Sequence, residues 1–464
     1  GAKSANIARF NPEGTPDAGF NATLATDGPI NAVIVRPVNP TVAAQVAGFA
    51  WLNRDGSLRP GFNVSSDARL AGEISAVAVQ GNGSVILGGA FTNLSNSTGG
   101  NLVRFSATGV LDTNFNPNPN GAVSGLALDS SGRLIVVGAF SLIHGAVRNR
   151  IARLNSDGSL DNGFDPSASA RINAVVMESD GRIVIGGAFT TLSPNGATTT
   201  TPRNYLARIN ADGTVDAGYN PNLNSIVNAL AIQSDGKVIA GGGFTAVQPG
   251  TATVGTARNG IVRLNTDGSL DANFDPNVNG PVNALVAQAN GQIILGGSFT
   301  TLQPNGGSTA FTRNNIARVN SDGALDPVFN PNANGAVTTL ALQSDEAVVL
   351  GGAFTTLQAG GANVAVARSR LARVSGDGSL DVNFNPNVNG AVSTVVARAD
   401  GTLFVTGSFT GLQANGAVMV GGSFATIGGI SARNLAILND EGSVSASFQP
   451  RPDGAVNALL ALPD

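Results

Sequence analysis

The pattern Leu-Asp-x-x-Phe-(Asn/Asp)-Pro returns along the chain with its aromatic at Phe115, Phe164, Tyr219, Phe274, Phe329 and Phe384, and the last four intervals are 55 residues each. Weaker copies fall at Phe20, Phe62 and Phe448. A second motif, Gly-Gly-x-Phe-Thr, recurs around Phe91, Phe189, Phe244, Phe299 and Phe354, with variants at Phe140, Phe409 and Phe424. Self-similarity at a fixed period restricts the chain to a repeat architecture, in which each unit buries its apolar faces against its neighbours.

One unit, residues 226–275, reads as four strands. Ile226–Ile232 is a short apolar run that suits a strand covered on both faces. Ser234-Asp235-Gly236 turns it into Lys237–Ala240, which runs into Gly241-Gly242-Gly243-Phe244-Thr245, where the glycines signal a bulge or a close backbone approach. After a polar loop, Gly260–Asn265 makes a third strand. Thr266-Asp267-Gly268 leads to a short fourth strand that Pro276 ends, because proline cannot donate to a ladder. The expected fold is all-β, a β-propeller of four-stranded antiparallel blades numbering about eight, within a range of seven to nine. A parallel β-helix is the rival, and the regular Asp-Gly and Asn-Gly hairpin turns favour the blade.

The whole chain, 1–464, is expected to be a single repeat domain. Its irregular units are 22–63, which lacks a clear Gly-Gly-x-Phe strand, and 391–449, which carries two. Residues 1–21 and 454–464 read as half-blades that either complete one shared blade or pair between subunits.

Composition narrows the function classes. Only 12% of residues are charged and the net charge is −4, so the basic footprint of a nucleic-acid binder is missing. There is no cysteine, which removes thiolate catalysis, disulfides and cysteine metal sites. No apolar stretch is long enough for a membrane helix, and the opening Gly1-Ala2-Lys3-Ser4 carries no signal-peptide core, so the signal of an exported chain is expected either to have been removed or to lie outside this sequence. His144 is the only histidine and reads as an ordinary loop residue, leaving a Ser-His-Asp triad or a zinc cluster without partners. Most aspartates occupy repeat columns, such as Asp112, Asp161, Asp216, Asp271, Asp326 and Asp381, and recurrence in every unit points to structure rather than to a carboxylate pair for glycoside hydrolysis. No catalytic residue, cofactor or metal site is therefore expected. The turn Asn155–Asp161 resembles a calcium loop only faintly, and hairpin chemistry accounts for its residues.

Two arginine columns hold half the basic residues: Arg9, Arg104, Arg153, Arg208, Arg263, Arg318 and Arg373, and Arg148, Arg203, Arg258, Arg313, Arg368 and Arg433. Either they line an anion-binding ring, or each pairs with a Leu-Asp carboxylate or with turn carbonyls; near-equal numbers of arginine and aspartate favour pairing. Trp51 and Ile437 take the place of the first arginine in the irregular units.

Three pieces of sequence resemble a known family: Ile151–Asp161 (IARLNSDGSLD), Ala229–Val238 (ALAIQSDGKV) and the recurring Gly-Gly-x-Phe. Together they are similar to the bacterial delta-60 repeat, a propeller-type repeat. The resemblance implies an exported or cell-surface bacterial protein and supplies no catalytic residue.

Function is expected on the loops between second and third strands, Thr191–Pro202, Ala246–Ala257, Thr301–Thr312 and Thr356–Ala367, which vary between constant flanks and emerge on one side of the ring. The binding residues expected there are Thr191, Asn195, Gln248, Gln303, Asn305 and Gln358. The reading is a non-catalytic extracellular scaffold whose loop face contacts protein or polysaccharide, with no membrane insertion. Its alternatives are a structural subunit joined into a homo-oligomer or filament through the chain ends, and, behind that, a carbohydrate-active enzyme. Because the turns need no metal, chelation is expected to leave the melting temperature unchanged in a thermal scan with and without EDTA; a large drop would place a cation in the Asp-Gly turns.

Overall fold

The second of two adjacent glycines in the Gly-Gly-x-Phe motif explains how a blade is built. A Cβ on Gly187 would lie 2.3 Å from the Arg171 carbonyl oxygen, and one on Gly89, Gly138, Gly242, Gly297, Gly352 or Gly407 would meet the equivalent carbonyl of the facing first strand as closely. Only glycine admits that approach. At the same level each first strand carries a β-bulge, for example between Ile172 and Ala174 opposite Gly187 and Gly186. Repeat glycine and bulge are thus one feature seen from its two strands.

The computed structural model describes residues 49–54, 70–93 and 100–409 other than 251 and 363, residues 425 and 434, and the strand segments Ile30–Val35, Gln45–Val46, Val418–Gly422, Thr426–Ile427, Ile430–Ser431 and Leu435–Leu438. The expected half-blades at 1–21 and 454–464 lie outside the described residues, as do Arg9 and Arg433. The sequence reading takes 1–464 as one repeat domain; the contacts divide it into two compact units, Ala43–Leu412 and the paired segments Gly1–Val42 and Gln413–Asp464.

Unit Ala43–Leu412 holds seven antiparallel blades. Six are sequential: Leu70–Val79, Val85–Asn93 and Leu102–Phe105 form the first, and Val337–Leu342, Val348–Gly352 and Leu371–Val374 the sixth. The fourth strand of each is reduced to one bridged residue, such as Leu160 opposite Leu154 and Leu270 opposite Leu264. In the seventh blade Val392–Ala397 and Leu403–Gly407 receive their third strand from the other end of the unit, with Phe49–Leu52 registered on Leu403–Thr406. The first strands follow one another round the axis, and the seventh returns to the first, where Thr394 Oγ1 donates to the Ser75 carbonyl at 2.6 Å. The ring closes within one chain with seven blades, the low end of the expected range.

The other unit contains a three-stranded sheet of Ile30–Val35, Val418–Gly422 and Leu435–Leu438, with the same bulge near the start of its first strand. The two irregular units of the sequence therefore trade strands. Residues 30–35 find their second strand in the extra Gly-Gly-x-Phe copy at 418–422, and residues 49–52 fill the third place in the seventh blade.

Apolar residues pack between blades in equivalent clusters. One joins Ile135, Val137 and Ile151 of the second blade to Ile172, Ile183, Ile185 and Phe189 of the third, with Phe164 of the connecting segment wedged between. Each such side chain contributes about 1.5–3 kcal/mol when fully buried. Tyr219 occupies the aromatic column with its ring fully buried, and its hydroxyl has no hydrogen-bond partner among the described residues. Tyr219→Phe removes a buried unpaired polar group while keeping the ring, so it is expected to stabilise the protein by about 1 kcal/mol in urea unfolding. A loss of stability would mean that the hydroxyl is satisfied.

Candidate functional site

The register assigns the loops to faces. The bulged start of each first strand lies level with the glycines that lead into the second-to-third-strand loop, while the Asp-Gly turns close the opposite end of every strand. One face therefore carries all the varied loops, here called the crown; the other carries the charged turns.

The charged face is structural. In six blades the first-column arginine binds the Leu-Asp carboxylate eight residues on: Arg153 Nε donates to Asp161 at 2.8 Å and Arg263 Nε to Asp271 at 2.9 Å. The same guanidinium stacks on the column aromatic, at 4.4 Å for Arg153 over Phe164 and 4.2 Å for Arg208 over Tyr219. It also reaches the next blade, Arg153 Nη1 donating to the Ala211 carbonyl at 2.6 Å and Arg104 Nη1 to that of Ser156 at 2.6 Å. Arg373, the last of the series, donates to the Arg54 carbonyl beside the closing strand, and the Arg54 side chain pairs with Asp345. In the closing blade, Trp51 stands in the arginine position and packs on Phe404 at 4.7 Å, with Arg398 over its ring at 5.1 Å. The second column uses only the ends of its guanidinium groups: Arg203 Nη1 donates to Pro202 O at 2.7 Å and its Nη2 to Asp216 O at 3.0 Å, which binds the crown loop to the segment leaving the blade, while Nε of Arg148, Arg203, Arg258 and Arg313 has no hydrogen-bond partner among the described residues. Pairing, rather than an anion-binding ring, accounts for these described arginines.

Asp157, Asp212, Asp267 and Asp377 each accept the backbone N–H and the hydroxyl of the Ser or Thr two residues on, which fixes the turn and holds their carboxyls below the usual range. His144, at φ 52°, forms a two-residue turn and contacts the Gly158 carbonyl through Nε2 at 2.8 Å.

Of the expected binding residues, Thr191 and the three glutamines lie near the bases of the crown loops, and Asn195 and Asn305 are exposed farther along them. Thr191 pairs with Pro202 in a two-residue ladder, and its N–H donates to Ser169 Oγ. Asn195 and Asn305 take left-handed backbone and donate their N–H groups to Asp165 and Asp275 carbonyls at 2.6 and 2.7 Å. Gln248, Gln303 and Gln358 each turn the side-chain amide back on their own loop, to the carbonyls of Ala252, Gly307 and Ala362 at 2.6 Å. The loops are thus pinned hairpins. What they expose includes Asn195, Asn305, Thr198–Thr200, Val254, Phe311, Val364 and Val366, and no charged residue occurs in 188–202, 243–257, 298–312 or 353–367.

Inside the crown the channel opens. The bulged residue of each of the seven blades, Ser75, Ser124, Asn173, Asn228, Asn283, Thr338 or Ser393, lines a cavity of about 460 Å³ whose walls are otherwise Ala, Gly, Thr, Val and Leu of the first strands. The sequence reading did not single out this collar. Its signal is the polar residue that follows an apolar residue at the bulge of each first strand, as in Val227-Asn228-Ala229-Leu230.

A family model described as a domain of unknown function (DUF5122), beta-propeller, matches residues 1–20, 80–115, 130–164, 178–219, 233–274 and 288–329. The chain is a β-propeller repeat protein. Solved structures similar to this propeller include the WD40 beta propeller domain of Doa1 (13% identity, 73% of this chain and 90% of that one, TM-score 0.46). The computationally designed Ika8 protein (14%, 72% and 96%, 0.41) and a chain of the Mitotic Checkpoint Complex (13%, 87% and 96%, 0.44) are similar to it too. No curated protein matches the sequence.

The propeller's ion pairs give it an acid limit. Desolvation alone would raise the carboxyls of Asp161, Asp216, Asp271, Asp326 and Asp381, but hydrogen bonds from arginine and backbone amides, and from Lys237 at Asp271, outweigh it and hold all five low. A carboxyl lowered in the folded state stabilises fully above its unfolded pKa, about 3.9, and that stability is lost as pH falls from there through the lower folded pKa. The urea midpoint is therefore expected to be flat near neutrality and to drop steeply below about pH 4; a midpoint unchanged down to pH 3 would assign the clamp no electrostatic part.

Proposed function

We propose that the propeller is a non-catalytic interaction scaffold of the delta-60 repeat type, working outside a bacterial cell and presenting its crown to a protein or polysaccharide partner. The observation that carries this reading is the division of labour between the faces. Charge is spent on holding blades together, whereas the crown hairpins are braced at their bases and varied and uncharged at their tips. A rigid frame with variable, braced loops suits recognition, because little order has to be imposed on binding. The engagement of the described column aspartates in turns and clamps supports the non-catalytic reading.

Hairpin tips without charge make a specific expectation: binding through them is nearly independent of ionic strength, because screening acts on charges. Binding of the intact protein to arrays of bacterial polysaccharides and surface proteins, run at low and high salt, tests this. The triple variant Val254→Asp, Phe311→Asp, Val364→Asp is expected to lose the signal with its melting temperature kept, since all three side chains are exposed. Binding that is abolished by salt, or retained by the triple variant, would move the interface off the crown.

A further inference from the structure

The axial channel has a second character that the crown hairpins lack. Its collar is a closed ring of seven small uncharged polar side chains, one from each blade, all placed by the same bulge. Bulges of this kind re-aim a side chain, and here seven of them re-aim toward one axis. Bonds run from blade to blade around part of the ring. Asn173 Nδ2 donates to the Val227 carbonyl at 3.0 Å, Asn228 Nδ2 to Asn283 Oδ1 at 3.1 Å, and Thr338 Oγ1 to the Val392 carbonyl at 2.7 Å. These bonds fix how the amides face. Beneath the collar, the same cavity is lined by an aliphatic layer that includes Val77, Leu126, Val175, Leu230, Leu285 and Val395.

The rim breaks the repeat. At the position two residues before the collar stand Glu73, Ala122 and Arg171 in the first three blades, and Ile226, Pro281, Ala336 and Ala391 in the fourth to seventh. Glu73 accepts a hydrogen bond from Ser393 Oγ at 2.7 Å, and Arg171 Nε donates to Ser124 Oγ at 3.0 Å. The two charged side chains of the mouth thus flank the second blade and are each held by a collar hydroxyl of a neighbouring blade, and the remaining rim positions are apolar.

We propose that the channel mouth is a binding site for a neutral sugar residue, held with its hydroxyls against the collar and one C–H face on the aliphatic layer. The chemistry of the walls selects that class. Hydroxyl and carboxamide groups both donate and accept, as a ring of sugar hydroxyls requires. The collar has no charge to balance an ionic ligand, and the one acid and one base at the rim already engage collar hydroxyls. The cavity volume lies within the ~300–1,000 Å³ of small-molecule sites. The site stands apart from the crown tips and holds whether or not they bind anything.

Saturation-transfer NMR on the intact protein tests it, with glucose, galactose, mannose, N-acetylglucosamine and their β-linked disaccharides as probes and glucuronic acid and glucosamine as charged comparators. At least one neutral sugar is expected to bind, with transfer strongest to the C–H protons of one ring face. Ser75→Leu narrows the collar in the first blade, and Ser124→Leu does so one blade on. Each is expected to weaken binding about tenfold or more while the circular dichroism spectrum and melting temperature stay unchanged. The crown triple variant should bind the sugar normally. Equal binding of mono- and disaccharide would identify a free sugar, and tighter binding of the disaccharide a chain end; either supports the site. No transfer to any neutral sugar, binding unaltered in both folded collar variants, or a preference for the charged comparators would overturn it.

Discussion

The structure depends on one repeated contact, the arginine clamp that joins each blade to the next. A guanidinium has a planar fork of donors, so one side chain can hold a carboxylate, lie on an aromatic ring and still reach a carbonyl. In Arg153 all three happen together: Asp161 in its own blade, Phe164 beneath it and the Ala211 carbonyl in the following blade. Each partner removes part of the desolvation cost that a lone buried arginine would carry. Because the third partner always belongs to the next unit, the clamp propagates round the ring, and Arg373 delivers the last copy to Arg54 beside the closing strand.

The closing blade shows what the clamp is for by doing without it. There the third strand comes from residues 49–52, far away in sequence, and Trp51 takes the arginine position, stacked against Phe404 with Arg398 over its face. Aromatic packing replaces the ion pair where the neighbouring strand arrives from the other end of the unit. The bulge is the companion constraint. The glycine of each second strand admits a carbonyl that any Cβ would exclude, and the displaced residue of the first strand then lines the axis. Scaffold geometry and channel lining are set by the same few atoms.

Much of this was legible in the chain. The repeats announced blades, the Asp-Gly turns announced antiparallel strands, and matched columns of arginine and aspartate announced pairing. The candidate site was less legible. Gln248, Gln303 and Gln358 looked like recognition residues because they are polar and lie in varied loops, yet their amides close the loop on itself. Sequence shows that a loop varies but not which of its polar groups bond within it. The collar was missed for a related reason: an asparagine in an apolar strand has no assigned direction until a bulge gives it one.

The sequence by itself determined the repeat, the strand-and-turn alphabet, the absence of cysteine chemistry and the near absence of histidine, since these follow from local patterning and composition. Tertiary structure alone decided the seven-blade closure, the trade of strands between 30–52 and 403–438, and the gathering of seven polar side chains on one axis. The physical reason is distance along the chain. Turns and strands are set by neighbours a few residues apart, whereas closure, strand exchange and the collar depend on residues tens to hundreds of positions apart that meet only when every blade has found the next.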